Sequence, residues 1–217
     1  MSYSLNTTIL NPLSKEKPKN AVILCHGYGG DGEDISLLAN YWKTYLPETI
    51  FFCPDAPEKC AVSPTGFQWF DLMDQSQDQI LSKSIVAEIR LNKFIDEIKK
   101  NNNFTDNQIA LVGFSQGCMI SLQTGIKRKN SIKCIVGYSG KIINVDHLNK
   151  NLISRPNVFL MHGDIDEVVP VNFLLEAKDF FNKNNYKIET KIFENCEHRI
   201  PTEGSSLGLQ FIKKNLY

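Results

Sequence analysis

Short, uninterrupted apolar runs alternate with amphipathic helical patterns along the whole sequence. Five runs of four to six residues lie at positions 21–25, 50–53, 109–113, 132–137 and 158–162. Such runs, bounded by Gly, Pro or Asp, are typical of strands buried on both faces of a parallel sheet. Between them, apolar residues recur at spacings of three and four, which predicts helices. The helical patterns lie at positions 34–45, 79–100, 118–125, 171–184 and 205–216.

This alternation predicts an α/β fold with a mostly parallel central sheet. Right-handed crossovers would place helices on both of its faces. Residues 186–193 alternate polar and apolar side chains, which indicates a later strand. The longest irregular stretch, 54–64, contains three prolines, and we interpret it as a functional loop rather than a domain boundary. We therefore expect one domain over residues 1–217, without a large cap domain.

Composition excludes several classes of partner. The 217 residues include 24 Lys+Arg and 24 Asp+Glu, so the formal net charge is zero. A nucleic-acid-binding protein usually carries a basic excess, and so does a protein drawn to anionic membrane surfaces. No apolar stretch approaches the roughly 20 residues that span a bilayer. We expect no nucleic-acid partner and no transmembrane segment.

The six cysteines indicate a reducing compartment. They stand at positions 25, 53, 60, 118, 134 and 196, and no two of them form a Cys-x-x-Cys pair. The first 20 residues lack the apolar core of a signal peptide. Buried free thiols in a cytoplasmic protein are the simplest interpretation.

The strongest motif is Gly113-Phe114-Ser115-Gln116-Gly117, which lies between a predicted strand and a predicted helix. A nucleophilic serine on such a sharp turn needs small neighbours, because strand and helix nearly touch there. The positive end of the helix dipole would also favour developing negative charge. The alternative is an ordinary helix start that is capped by the Ser115 hydroxyl.

A nucleophilic serine needs a base, and chain order selects it. In α/β hydrolases the serine is followed by the acid and then by the histidine. Of the four histidines, only His198 lies far enough downstream of Ser115 and beyond a predicted strand. The others are His26, His147 and His162.

The acid should follow a strand between these two residues. Asp164, Asp166 and Glu167 all follow the run at 158–162, and position alone favours Asp166 only weakly. A metal site at Asp164 and Asp166 is an alternative, but the longer ligand pattern of a calcium loop is missing.

A glycine-rich loop at 26–32 could complete an oxyanion hole. The N–H of Gln116 would be one donor, and the N–H of Tyr28 in this loop would be the other. A phosphate-binding loop is the alternative, but the Lys of a Walker A motif is absent.

Together these segments resemble the phospholipase/carboxylesterase family of α/β hydrolases, which includes the acyl-protein thioesterases. The resemblance rests on His26-Gly27-Tyr28-Gly29, Trp69-Phe70-Asp71, the serine motif, the stretch His162-Gly163-Asp164-Ile165-Asp166-Glu167-Val168-Val169-Pro170, and His198. It implies an α/β-hydrolase fold, a Ser115-His198-Asp166 triad, and no cofactor or metal. It also implies ester, lysophospholipid or acyl-thioester substrates and a monomer or homodimer.

The sequence departs from the family pattern at two places. Tyr28 stands where the family usually has Leu, which leaves the backbone donor but puts substrate preference in question. Cys196, Glu197 and Arg199 around His198 replace the usual small neighbours. Trp69 and Phe70 resemble the family's loop beside the active site and are predicted to bind substrate. Ordinary packing is the alternative for both.

Overall fold

A seven-stranded sheet lies at the centre of the structure, a computed structural model that describes residues 2–14, 16–73 and 76–217. The elements follow one another as β1 (Thr7–Leu10), β2 (Asn20–Cys25), α1 (Gly32–Trp42), β3 (Thr49–Pro54), β4 (Glu58–Lys59), β5 (Phe67–Gln68), α2 (Gln77–Asn102), a 3₁₀ turn (Asp106–Gln108), β6 (Ile109–Phe114), α3 (Gln116–Lys127), β7 (Cys134–Tyr138), α4 (Val145–Lys150), β8 (Asn157–Gly163), α5 (Asn172–Lys183), β9 (Glu189–Phe193) and α6 (Thr202–Leu216).

The strands of the sheet run in the order β1-β3-β2-β6-β7-β8-β9. Only the edge pair of β1 with β3 is antiparallel, and the five other pairs are parallel. The predicted α/β class with a mostly parallel sheet is confirmed. Because the carboxyl ends of parallel strands meet at one edge, the loops after β2, β6 and β8 come together there.

Apolar cores cover both faces of the sheet. Along β2, Ala21 and Ile23 pack into the core that contains buried residues of α2, α3 and α5. Val22 and Leu24 point the other way, into the core that contains buried residues of α1 and α6. Side chains of a strand alternate between its two faces, so a continuous apolar run supplies both cores. Helices on both faces are thereby confirmed.

The longest helix, α2, has 26 residues and is amphipathic rather than apolar throughout. A capping box between Ser76 and Gln79 begins it, and Asn103 in the left-handed conformation follows its last residue. Leu91, Phe94 and other buried residues face the core, whereas most charged residues face solvent and Glu88 is buried. Over the described ranges, the structure contains no helix with the length and apolar character needed to cross a membrane.

Four parts of the fold differ from the prediction. Strand β1 was not expected, because its four residues are mostly half-exposed and carry no strong apolar run. The stretch 54–64 is not wholly irregular, since β4 lies within it and pairs antiparallel with β5. The later strand begins at Glu189 rather than at residue 186, and the short helix α4 lies outside the predicted helical patterns.

The edge of the sheet is tied to the loop that follows β3. Asp55 N–H donates to the Asn6 carbonyl (2.8 Å), and Asn6 Nδ2 donates to Asp55 Oδ2 (2.6 Å). Asp55 Oδ1 accepts a hydrogen bond from Gly32 N–H (2.9 Å) at the start of α1. The loops after β2 and β3 are therefore held together by one carboxylate.

The six cysteines are all buried free thiols. Burial raises the pKa of Cys25 and Cys118 to about 12 each, since a thiolate in an apolar core loses its hydration. These side chains behave as small hydrophobic groups.

The turn from β6 into α3 requires glycine on both sides. A Cβ at Gly113 would lie 2.3 Å from the Gly117 carbonyl oxygen, and a Cβ at Gly117 would lie 2.0 Å from the Cys25 carbonyl oxygen. Both contacts are with backbone, which cannot rotate away. Ser115 between them has φ 52° and ψ −118°, a conformation that L-residues rarely adopt.

We expect Gly117→Ala to lower the free energy of unfolding by about 3 kcal/mol, because the new methyl group overlaps the backbone of β2. Urea unfolding followed by circular dichroism measures this. Gly30→Ala is the matched control, since its Cβ would lie no closer than 3.4 Å to any neighbour, and it should change stability by no more than about 1 kcal/mol. Equal stability of the two variants would contradict the steric argument.

Candidate active site

Ser115 lies at the tip of the turn, with its hydroxyl free of the helix start. Its N–H donates to the Tyr138 carbonyl (2.8 Å), and its own carbonyl accepts from the N–H groups of Cys118 and Met119. The side chain makes no capping hydrogen bond to α3. The interpretation of Ser115 as a side-chain helix cap is therefore wrong.

The imidazole of His198 meets the Ser115 hydroxyl. His198 Nε2 lies 3.0 Å from Ser115 Oγ, and His198 Nδ1 lies 2.7 Å from Asp166 Oδ2. A carboxylate only accepts hydrogen bonds, so the proton of the neutral ring is on Nδ1 and Nε2 accepts from the serine. The ring packs against Phe114, with centroids 4.9 Å apart.

Asp166 is held as an ionised acceptor. Its side chain is fully buried, and Oδ1 accepts from the N–H groups of Val168 (3.0 Å) and Val169 (2.8 Å). Burial alone would raise the pKa of Asp166. The hydrogen bonds from His198 and Val169 outweigh it and hold the pKa below its ordinary value.

The other two carboxylates of this loop have different neighbours. Asp164 Oδ1 accepts from Cys196 N–H (3.2 Å), which fixes the loop before His198. Glu167 is exposed to solvent. In the described part of the chain, no group of three or more His, Cys, Asp or Glu residues is placed to hold a metal ion. The geometry thus brings Asp166, and neither of its neighbours, to His198.

His162 closes the loop that carries the acid, a role that sequence analysis did not find. Its Nε2 donates to the Val169 carbonyl (2.7 Å) and lies 3.4 Å from Asp166 Oδ2. The ring is buried, and burial lowers its pKa although Val169 and Asp166 act in the opposite direction. A neutral His162 therefore connects the two ends of the acid loop.

Tyr28 lies on the loop after β2, and Gln116 is the first residue of α3, directly after Ser115. A Cβ at Gly27 would lie 3.3 Å from Ser115 Cβ, so the 26–32 loop packs directly against the serine. Among the described turns and loops, the N–H groups of Tyr28 and Gln116 take no part in backbone hydrogen bonds. Two backbone donors beside a serine are the arrangement that an oxyanion hole needs.

The Tyr28 ring is turned toward the hairpin of β4 and β5. Its hydroxyl is enclosed without a well-aligned hydrogen bond, and burial, with Cys60 close by, raises its pKa to about 12. The hairpin is in turn bound to the same loop, since Gly29 N–H donates to Phe67 O (2.9 Å) and Phe67 N–H to Gly30 O (2.8 Å).

Trp69 and Phe70 are fully buried in this structure. The Gln116 side chain binds their backbone, because its Oε1 accepts from Trp69 N–H (2.8 Å) and its Nε2 donates to Phe70 O (2.6 Å). Trp69 Nε1 also donates to the carbonyl of His26 (3.1 Å). This placement offers no exposed ring to a substrate and favours the packing alternative.

Comparison with known proteins places the chain in the same family as the sequence motifs do. Residues 8–216 match the family described as Phospholipase/Carboxylesterase. The chain belongs to this family. Acyl-protein thioesterase 1 of Saccharomyces cerevisiae is 31% identical, over 91% of this chain and 93% of its own length. The corresponding protein of Kluyveromyces lactis is 27% identical, over 94% and 95%.

A solved structure agrees with the family assignment. The crystal structure of esterase PE8 superimposes with a TM-score of 0.93 at 32% identity, covering 98% of this chain and 99% of that one. The α/β-hydrolase fold that the motifs implied is confirmed. Family membership also makes the chain an enzyme, a hydrolase of the carboxylic ester type.

We expect Asp166→Asn to reduce kcat by about 10⁴-fold. Asn keeps an acceptor for Val168 and Val169 but turns an N–H toward His198 Nδ1, which favours the tautomer with its proton on Nε2. Steady-state hydrolysis of a chromogenic ester measures the loss, and circular dichroism verifies folding. Glu167→Gln removes an exposed charge of the same loop and should keep activity within about twofold. A similar loss in both variants would contradict the assignment of the acid.

Proposed function

We propose that the chain is a serine hydrolase that cleaves carboxylic esters or thioesters through an acyl-enzyme. The supporting observation is the continuous hydrogen-bonded series from Ser115 Oγ to His198 Nε2 (3.0 Å) and from His198 Nδ1 to Asp166 Oδ2 (2.7 Å). A serine hydroxyl is a weak nucleophile until a base accepts its proton, and this series supplies the base and orients it.

In the first half of the reaction, Ser115 Oγ attacks the substrate carbonyl carbon while His198 Nε2 takes the hydroxyl proton. The carbonyl oxygen becomes an oxyanion, which the N–H groups of Tyr28 and Gln116 stabilise. Asp166 stabilises the imidazolium that forms. His198 then gives its proton to the leaving alcohol or thiol, and the acyl group stays on Ser115.

In the second half, His198 Nε2 takes a proton from a water molecule, which attacks the acyl-enzyme. The same two N–H groups stabilise the second oxyanion. When this intermediate breaks down, Ser115 Oγ regains a proton from His198 and the carboxylic acid leaves. Each proton that enters His198 leaves in the same half-reaction, so the triad needs no cofactor or metal.

Short-chain esters, lysophospholipids and acyl thioesters of proteins are the proposed substrate class. Relatives that are called acyl-protein thioesterase 1 and esterase support this choice. Two apolar side chains, Ile165 and Val168, flank Asp166 on its loop and are 49% and 68% exposed. Exposed apolar groups on the loop of the proposed acid suit an acyl chain better than a charged substrate. The six buried free thiols support a cytoplasmic location.

Ser115→Ala should abolish hydrolysis of p-nitrophenyl acetate and butyrate, with a fall in kcat of about 10⁶-fold or to the background rate. The variant lacks the nucleophile but keeps the base and the N–H donors. Ser121→Ala, a change at a buried serine of α3, the helix that follows Ser115, is the matched control and should retain most activity.

A fluorophosphonate probe makes this test specific to the serine. It should label the wild-type protein at Ser115 and leave Ser115→Ala unlabelled, as read by intact-mass spectrometry. Near-full hydrolysis by Ser115→Ala would refute the mechanism. Absence of labelling in the folded wild-type protein would instead favour a non-catalytic ligand-binding protein on the same fold.

A substrate panel defines the reaction class. We expect kcat/KM for p-nitrophenyl butyrate and for butyryl thiocholine to exceed that for the matched butyryl anilide by at least about 100-fold, because an amine is a poorer leaving group than an alcohol or a thiol and depends more on protonation by His198. A butyrolactone completes the panel. Faster cleavage of the anilide or the lactone would reassign the enzyme as a peptidase or a lactonase.

A further inference from the structure

The peptide unit between Gly27 and Tyr28 joins the proposed oxyanion hole to a buried histidine. Its N–H, that of Tyr28, is a proposed donor to the oxyanion. Its carbonyl, that of Gly27, lies at the opposite side of the same planar trans unit. Because the unit is planar, any interaction that fixes the direction of the carbonyl also fixes the direction of the N–H.

Two donors hold this carbonyl. His26 Nδ1 lies 2.7 Å from the Gly27 oxygen, and Gly30 N–H donates to the same oxygen at 3.1 Å. Both bonds pull electron density toward the oxygen, which strengthens the N–H at the other end as a donor. The imidazole bond is the shorter of the two.

The second ring nitrogen of His26 determines which tautomer is present. Ala56 N–H donates to His26 Nε2 at 2.9 Å, so Nε2 carries a lone pair and the proton of the neutral ring is on Nδ1. The ring is 2% exposed. Burial lowers the pKa of His26, and the carboxylates of Asp55, Asp31 and Asp34 offset only part of this effect.

Trp69 connects the two halves of the proposed hole. Its indole Nε1 donates to the His26 carbonyl, and its backbone N–H donates to the side chain of Gln116. Gln116 carries the other proposed oxyanion donor on its own backbone. The residues that bear or orient both donors are therefore linked through one buried tryptophan, which fixes their separation.

We propose that His26 is a positioning residue for catalysis: its Nδ1–H, held in that tautomer by Ala56, orients the Gly27–Tyr28 peptide so that Tyr28 N–H points at the developing oxyanion. His26 does not touch the substrate. The proposal rests on the proposed function, in which Tyr28 N–H stabilises the tetrahedral intermediate.

His26→Asn and His26→Gln form a matched pair that separates orientation from packing. Asn places an amide N–H near the position of Nδ1 and keeps the bond to Gly27, but it loses the acceptor for Ala56. Gln reaches the position of Nε2 and keeps the acceptor for Ala56, but it loses the donor to Gly27. Each variant leaves one buried polar group without its partner, so their losses of stability should be similar.

The expected result is a larger catalytic loss in the Gln variant. Removal of an oxyanion donor reduces kcat by roughly 10²–10³-fold, and misorientation of one should give part of this. We expect kcat to fall by about 30-fold in His26→Gln and by no more than about fivefold in His26→Asn, with KM for p-nitrophenyl butyrate nearly unchanged in both. An alkyl boronic acid, which forms a tetrahedral adduct with the serine, should lose affinity in the same order.

Two outcomes would overturn the proposal. One is an equal loss of kcat in the two variants at similar melting temperatures, which would give His26 a packing role alone. The other comes from the unmodified protein: ¹⁵N NMR of its histidines should show His26 protonated at Nδ1, and an Nε2–H tautomer contradicts the proposal even if neither variant folds. Ser115→Ala distinguishes the role of His26 from the proposed function. If Ser115→Ala is inactive and the two His26 variants lose kcat equally, the serine mechanism stands and only the role of His26 is refuted.

Discussion

The contact between the start of α3 and the carboxyl end of β2 is the constraint on which the whole site depends. Gly117 lies so close to the Cys25 carbonyl that no side chain fits between them. This contact presses the helix against the strand and forces Ser115 into its positive-φ conformation. It also brings the loop after β2 beside the serine. One close backbone approach thus places the proposed nucleophile next to the loop that carries Tyr28.

Burial then determines the protonation states around the serine. Asp166, His162 and His26 are all nearly inaccessible to water, and each has hydrogen bonds that fit one protonation state. Asp166 receives donors and stays ionised, whereas His162 and His26 each contact a backbone carbonyl and stay neutral. In a medium of low dielectric constant, these hydrogen bonds and charges favour one protonation state over the other more strongly than they would in water. Of the side chains of the proposed triad, that of His198 is 17% exposed while that of Asp166 is fully enclosed.

Much of the fold and of the candidate site could be predicted from the sequence, and the reasons differ from residue to residue. Ser115 could be predicted from a short motif with a steric reason, and His198 from its place after Ser115 in the chain. Both signals can be found in the sequence without knowing the three-dimensional structure. Asp166 could be chosen over Asp164 and Glu167 only by family resemblance, because the choice depends on which oxygen the loop turns toward His198. Trp69 and Phe70 could not be assigned, since a motif shows that aromatic residues lie near a site but not whether they are enclosed. The roles of His26 and His162 depend on carbonyls that no pattern of side chains reveals.

Hydrogen bonds at the antiparallel edge of the sheet connect the amino-terminal segment to the loop that carries His26. Asn6 binds Asp55, Asp55 binds the start of α1, and the next residue, Ala56, donates to His26. The chain of contacts therefore runs from the amino-terminal segment, through the buried residues Ala56 and His26, to the peptide between Gly27 and Tyr28. Asn6, the residue before β1, is thus a support of the loop that carries His26 and Tyr28. A homologue without this asparagine would lose the side-chain hydrogen bond to Asp55 and would hold that loop less firmly, while its proposed triad residues stay in place.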